Sequence, residues 1–196
     1  LATDPEALAA RLRRPLPFRP NPLARRGTAF HAWLERRFGA TRLLDLDELP
    51  GADDEGGDES HFERLQEAFL RSPWAARNPV EVEVPFETSL GGTVIRGRID
   101  AVFEDPDGGW TVIDWKTGAE PDADALASVG LQLAAYRLAW AQLMAARITR
   151  ITGRPAEPPL NKVRAAFHYV RTGRTVAPGD LPGAAAMEQL VRGAGD

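Results

Sequence analysis

The apolar residues of this 196-residue chain recur with two distinct periods, and the switches between them outline its elements. Phe30, Trp33, Leu34 and Phe38 fall at helical spacing and predict a helix from about 23 or 28 to 38. Phe62, Leu65, Phe69 and Leu70 mark a second helix ending near Ser72-Pro73. Val80, Val82 and Val84 alternate with Glu81 and Glu83, which is the period of a strand. In 94–103, Ile95, Ile99, Ala101 and Phe103 alternate onto one face around Gly97, and Asp100 falls on the other with Val94 and Val102. The turn formers of 104–109 join this strand to 111–116 as an antiparallel hairpin. A long helix over about 124–147 carries Gln132, Tyr136, Trp140 and Leu143 on one side. A proline-containing loop over 152–161, a strand over 163–170, a turn, a short returning strand at 175–176 and a final helix of about ten residues follow. Upstream, 4–14 reads as a short helix with Pro5 at its first position and Pro15 ending it, and the prolines of 15–22 impose extended backbone. This order predicts an α/β fold, a central mixed β-sheet flanked by α-helices, in a single domain over 1–196. Its parts are the lead-in 1–22, a core over 24–177 and a C-terminal helix and tail over 178–196.

Hydrophobic content of 43% and charged content of 27% are ordinary for a globular domain of this length. No apolar run is long enough to span a membrane and no signal-peptide pattern is present, so no membrane partner is expected. The absence of cysteine excludes disulfides, cysteine-ligated zinc and a cysteine-held iron–sulfur cluster. The chain begins at Leu1, which reads as a piece of something larger. A net charge of −4 argues mildly against nucleic acid, yet its distribution is uneven. Nine arginines face three acids in 1–42, and six arginines with Lys162 face only Glu157 in 147–174. Between them, 45–67 is acidic, with an exposed loop expected over 51–60. Arg25, Arg26, Arg164 and Arg171 are candidate phosphate contacts of these basic zones; solvated helix faces on an arginine-rich chain are the competing reading.

The densest chemistry lies in Thr111-Val112-Ile113-Asp114-Trp115-Lys116-Thr117-Gly118. The apolar flanks predict a strand buried on both faces, but two full charges sit at its end. Asp114 and Lys116, two residues apart, share a face. Lysine occurs only here and at Lys162, against many arginines, which points to a compact ammonium rather than a guanidinium fork. An ordinary ion pair at a strand end explains the two charges equally well. Asp100, fourteen residues upstream, supplies a second carboxylate through the hairpin. Two such oxygens suit Mg²⁺, which is held by one or two carboxylates together with waters and phosphate. Serine or cysteine nucleophile motifs are absent, as is a Walker-type phosphate loop, so any use of ATP belongs to another part of a parent protein.

Gly97-x-x-Asp100, then Asp114-Trp115-Lys116-Thr117, then Gln132-x-x-x-Tyr136 resembles the PD-(D/E)xK nuclease superfamily, in its RecB-type branch. The segment Gly27 to Glu35, with His31, is similar to the branch's upstream histidine helix, and the resemblance spans roughly 24–177. The resemblance implies a restriction-endonuclease-like core and a metal-dependent DNA nuclease, an exonuclease by its branch. It places the domain at the C-terminal part of a bacterial cytoplasmic helicase–nuclease that processes double-strand breaks for recombinational repair. Mg²⁺ or Mn²⁺ would be held by Asp100, Asp114, His31 and the Trp115 carbonyl, and Lys116 would position the attacking water. Gln132 and Tyr136 would border the pocket and hold the substrate or Lys116, and Glu83 before Pro85-Phe86 would support the site. The implied partners are DNA, a helicase motor in the same chain or complex, and a second helicase–nuclease subunit. A core role for His31 and a solvent-facing Glu83 remain the plain alternatives. The rival function is a non-catalytic DNA-binding or assembly module that retains the nuclease fold.

Overall fold

The computed structural model describes residues 22–42, 59–90, 92–120 and 126–193. The helix expected over 4–14, the extended prolines before 22, most of the acidic loop and the last three residues lie outside them. Helix α1 (Pro22–Arg42) is followed by α2 (Glu59–Leu70) and a 3₁₀ turn (Pro73–Ala76). Strands β1 (Glu81–Leu90), β2 (Thr93–Glu104) and β3 (Trp110–Lys116) come next. Helix α3 (Leu126–Thr152), strands β4 (Val163–Tyr169) and β5 (Arg174–Val176) and helix α4 (Ala184–Gly193) complete the fold. Helix α3 runs five residues beyond the expected end at 147. The helix formers Ala145, Ala146 and Arg147 continue into Ile148, and Gly153, at φ +68°, ends it with its N–H on the Thr149 carbonyl.

The five strands form one sheet in the order β1-β2-β3-β4-β5. All neighbours are antiparallel except β3 and β4, which run parallel and are joined by α3. The sheet is therefore mixed, with helices on both faces, as expected. Strand β3 lies between β2 and β4, and Val112, Ile113, Asp114 and Trp115 are all buried. One face packs Ala101, Phe103, Ile113 and Trp115 against Phe30, Leu34 and Phe38 of α1 and Leu65 and Phe69 of α2. The other packs Val102, Val112, Ala165 and Phe167 against Leu133, Trp140 and Met144 of α3.

The faces of β2 depart from the simple alternation. Ala101 and Phe103 pack on the α1/α2 side, while Ile99 joins Val102 on the α3 side and Ile95 packs with Leu138 and Met187. Asp100 therefore does not share one face with Val94 and Val102: Val94 is exposed and Val102 fully buried. The cause lies across the ladder. Glu83 stands between the pairs Val82↔Ala101 and Val84↔Ile99, and it has φ +50°. A left-handed residue inside a strand reverses the outward sense of its neighbours, so Val82 and Val84 also part to opposite cores. Such backbone costs of order 1–3 kcal/mol and persists where its surroundings over-determine it.

Candidate active site

The break in alternation falls where β2 and β3 separate. Their pairing ends at Ala101↔Ile113, and the next backbone donor, Trp115 N–H, is met by the Asp100 Oδ2 carboxylate oxygen at 2.8 Å. Asp100 thus takes the place of the missing strand partner and is fixed at the sheet's fork. On the α1 side, His31 reaches the same fork: its Nε2 lies 3.1 Å from the Trp115 carbonyl and its Nδ1 3.4 Å from Asp100 Oδ1. With Nε2 donating to that carbonyl, Nδ1 is the atom turned to the carboxylate. Burial works against a charge on this ring, but the hydrogen bond and charge of Asp100 outweigh it and raise the His31 pKa above 6.5. The Trp115 carbonyl orients His31, which is how a backbone oxygen commonly fixes a ligating imidazole.

Glu83 comes to the same place from β1. One ligand atom each from His31, Glu83 and Asp100 lie within 4.8 Å of one another. The Glu83 carboxyl is pushed above its usual range by burial, an effect that Arg98 opposes from 3.2 Å. An imidazole and two carboxylates are a donor set that fits a divalent cation such as Mg²⁺ or Mn²⁺. Both the positive φ of Glu83 and its partnership with Arg98 lie beyond what strand periodicity reveals.

Asp114 and Lys116 share the α3 face of β3, as their spacing predicts. Lys116 Nζ stands 2.6 Å from Asp114 Oδ2 and 4.6 Å above the Phe167 ring. Asp114 is only 5% exposed. Burial and then the nearby Asp100 charge push its carboxyl up to about 6, although Lys116 pulls the other way. From α3, Gln132 Nε2 approaches Asp114 Oδ1 at 3.3 Å and donates to the Tyr136 hydroxyl at 2.7 Å. The Tyr136 phenol is pushed far above its ordinary value, first by burial and then by the Asp114 charge, and stays neutral. The chain thus brings Asp114, Lys116, Gln132 and Tyr136 into one hydrogen-bonded group, beside the fork that holds Asp100, His31 and Glu83.

Gly97 has a steric reason in this arrangement. It pairs with Phe86 across β1 and β2, and a Cβ there would stand 2.7 Å from the Phe86 ring. Only hydrogen at that position lets Phe86 lie across β2 and meet the Tyr136 ring edge-on at 5.7 Å. Phe86 is a second supporting residue that periodicity left unmarked; the adjacent Pro85-Phe86 was its only signal.

The candidate phosphate-binding arginines are scattered. Arg164 pairs with Asp105 at 3.0 Å and also with Asp107, and stands opposite Thr111 at the end of β3 remote from Lys116. Together with Arg77, 2.9 Å from Asp105, it closes the β2–β3 turn. Arg171 is exposed in the turn after β4, at the same end of the sheet as Lys116. Arg25 and Arg26 lie in α1 ahead of its first described side chain.

No curated protein matches this chain significantly in sequence. Among solved structures it resembles a protein named "Putative exonuclease" from Eubacterium rectale, with a TM-score of 0.52 and 13% identity over 91% of this chain. This chain spans 65% of that protein's length, and at such identity the likeness speaks for the fold. A protein named SSO0001 aligns with a TM-score of 0.39 and 20% identity, over 96% of this chain and 72% of its own. The family model of the PD-(D/E)XK nuclease superfamily matches residues 7–191, nearly the whole chain, with the Asp100, Asp114 and Lys116 cluster inside it. This chain belongs to the PD-(D/E)XK nuclease superfamily.

Proposed function

We propose that the domain is a divalent-metal-dependent deoxyribonuclease, hydrolysing phosphodiester bonds at the end of the sheet where β2 and β3 diverge. The observation that carries this reading is the adjacency of two groups: the His31–Glu83–Asp100 ligand cluster and the buried Asp114–Lys116 pair. A lone buried charge is costly, and the ionised Asp114 is held here against both burial and Asp100. A cation held beside Asp114 and Asp100 would relieve that arrangement. His31, Glu83, Asp100 and Asp114 would hold Mg²⁺ or Mn²⁺, which supplies charge stabilisation and an activated water. Lys116 is the flexible partner. Its side chain is a third exposed, and its ammonium can leave Asp114 to hold a water or a non-bridging phosphate oxygen and so stabilise the charge that develops at phosphorus. Gln132, itself held by Tyr136, fixes the Asp114 carboxylate from the α3 side.

The finer reading is a RecB-type exonuclease at the C-terminal part of a bacterial ATP-dependent helicase–nuclease. Its support is the order Gly97-x-x-Asp100, Asp114-Trp115-Lys116, Gln132-x-x-x-Tyr136. Its partners would then be DNA, the helicase motor and a second subunit. Among the described residues no helix is long and apolar enough to cross a membrane. The decisive assay incubates end-labelled single- and double-stranded DNA with the domain in EDTA, Mg²⁺ or Mn²⁺. Metal-dependent shortening from an end supports the proposal. Intact DNA under every metal condition, with the domain folded, removes it.

A further inference from the structure

A cleft of about 220 Å³ opens between the C-terminal end of α2 and the turn that follows β4. Arg71, Ser72, Val170, Arg171, Thr172 and Gly173 contribute to its walls. Both arginines are exposed. Arg171 has no ion-pair partner among the described residues, and Arg71 has only a loose 3.6 Å contact with Glu67, itself exposed. The hydroxyl of Ser72, in the same wall, is buried without a hydrogen-bond partner. No lining residue is acidic, although the chain as a whole is net negative.

The turn itself is braced. Val170 N–H donates to the Lys116 carbonyl, and Thr172 N–H and Gly173 N–H donate to that of Tyr169. The Thr172 hydroxyl and Arg174 both engage Glu120, four residues past Lys116. Tyr169 is the strand neighbour of Lys116, and two residues of chain reach at most about 7 Å further to Arg171. The cleft therefore sits at the same end of the sheet as the candidate active site, a few nucleotides away on a strand whose phosphates advance about 3.4 Å each.

We infer that this cleft is a second phosphate-binding site, in which Arg71 and Arg171 together hold the DNA backbone beside the scissile bond. The inference rests on the nuclease reading for its ligand, but its test does not depend on cleavage. Two guanidiniums on opposite walls present forked donors to a single phosphate, which an isolated surface arginine does not. A rigid turn tied to Lys116 sets the spacing between the held phosphate and the one attacked, so the cleft would act on substrate register as well as affinity.

The test uses a fluorescent 20-nucleotide DNA in EDTA, with the dissociation constant followed by anisotropy from 0.05 to 0.3 M salt. The Arg71→Gln/Arg171→Gln double variant, losing the one phosphate the two arginines share, should reduce the slope of log K against log salt by about 0.9 for duplex and about 0.7 for single strands. At 0.1 M salt this corresponds to a loss of affinity of about five- to eightfold. Arg71→Lys/Arg171→Lys should restore most of the slope. In metal, the double glutamine variant should raise KM for the 20-mer far more than it lowers kcat. An unchanged slope in a folded double variant overturns the inference. Full DNA binding by a parent that cuts nothing in any metal would overturn the nuclease reading alone.

Discussion

Replacing Asp114 by asparagine should make the metal-free protein more stable while abolishing its cutting. A carboxyl held at about 6 instead of 3.8 binds its proton more tightly in the fold than in the unfolded chain. Between those two values the fold carries more protons, so stability falls as pH rises through this window and is level above it. The cost of keeping Asp114 ionised at pH 8 is then about 3 kcal/mol. Asparagine keeps the shape and removes the charge. The pull of Lys116 is already contained in that raised value, so losing the pair adds no separate penalty. The net expectation is a gain of about 3 kcal/mol at pH 8, falling to about 1 kcal/mol near pH 4.5. Urea unfolding of both proteins in EDTA across this range measures it. Divalent metal at a hundred times its Kd should return about 2.7 kcal/mol to the parent. A variant less stable than the parent at pH 8 in EDTA, or a gap independent of pH, would refute the account of Asp114 as a strained carboxylate awaiting a cation.

Lys116→Arg keeps the charge but widens the head group; it should fold, bind metal and DNA, and lose about 10²–10⁴ in turnover, and full activity would show that charge alone suffices. His31→Ala should raise the Mn²⁺ concentration needed for half-maximal cleavage at least tenfold, with partial recovery at high metal; a fall in melting temperature with an unchanged metal titration would make His31 a core residue. Arg164→Gln should lower the melting temperature by opening the turn it closes with Asp105 and Asp107, and leave the salt dependence of DNA binding unchanged; a reduced salt slope would restore Arg164 to the DNA-contacting surface.

Much of this protein is determined locally and can be read along the chain. Helices α1, α2 and α3 follow from apolar residues at helical spacing, and burial of Phe30, Leu34, Phe38 and Trp140 matches their stripes. The shared face of Asp114 and Lys116 follows from the two-residue period of a strand, and the hairpin from the turn formers of 104–109. The motif order points to the candidate site, although only Asp114-Trp115-Lys116 sits at an element's end, while Gly97-x-x-Asp100 lies inside β2 and Gln132-x-x-x-Tyr136 inside α3. What no local pattern carries is the break in alternation at Glu83 and Asp100. Strand periodicity assumes regular φ, and one left-handed residue moves Val82 and Val84 to opposite cores. The same break turns Glu83 toward His31 and Asp100, residues 52 and 17 positions away, a convergence that only the folded ladder brings about. Charge runs were equally silent about partners: Arg164 and Arg171 look alike in sequence, yet one is held by two carboxylates and the other lines an open cleft. An arginine's availability depends on which acids the fold places beside it, and that is a property of tertiary structure alone.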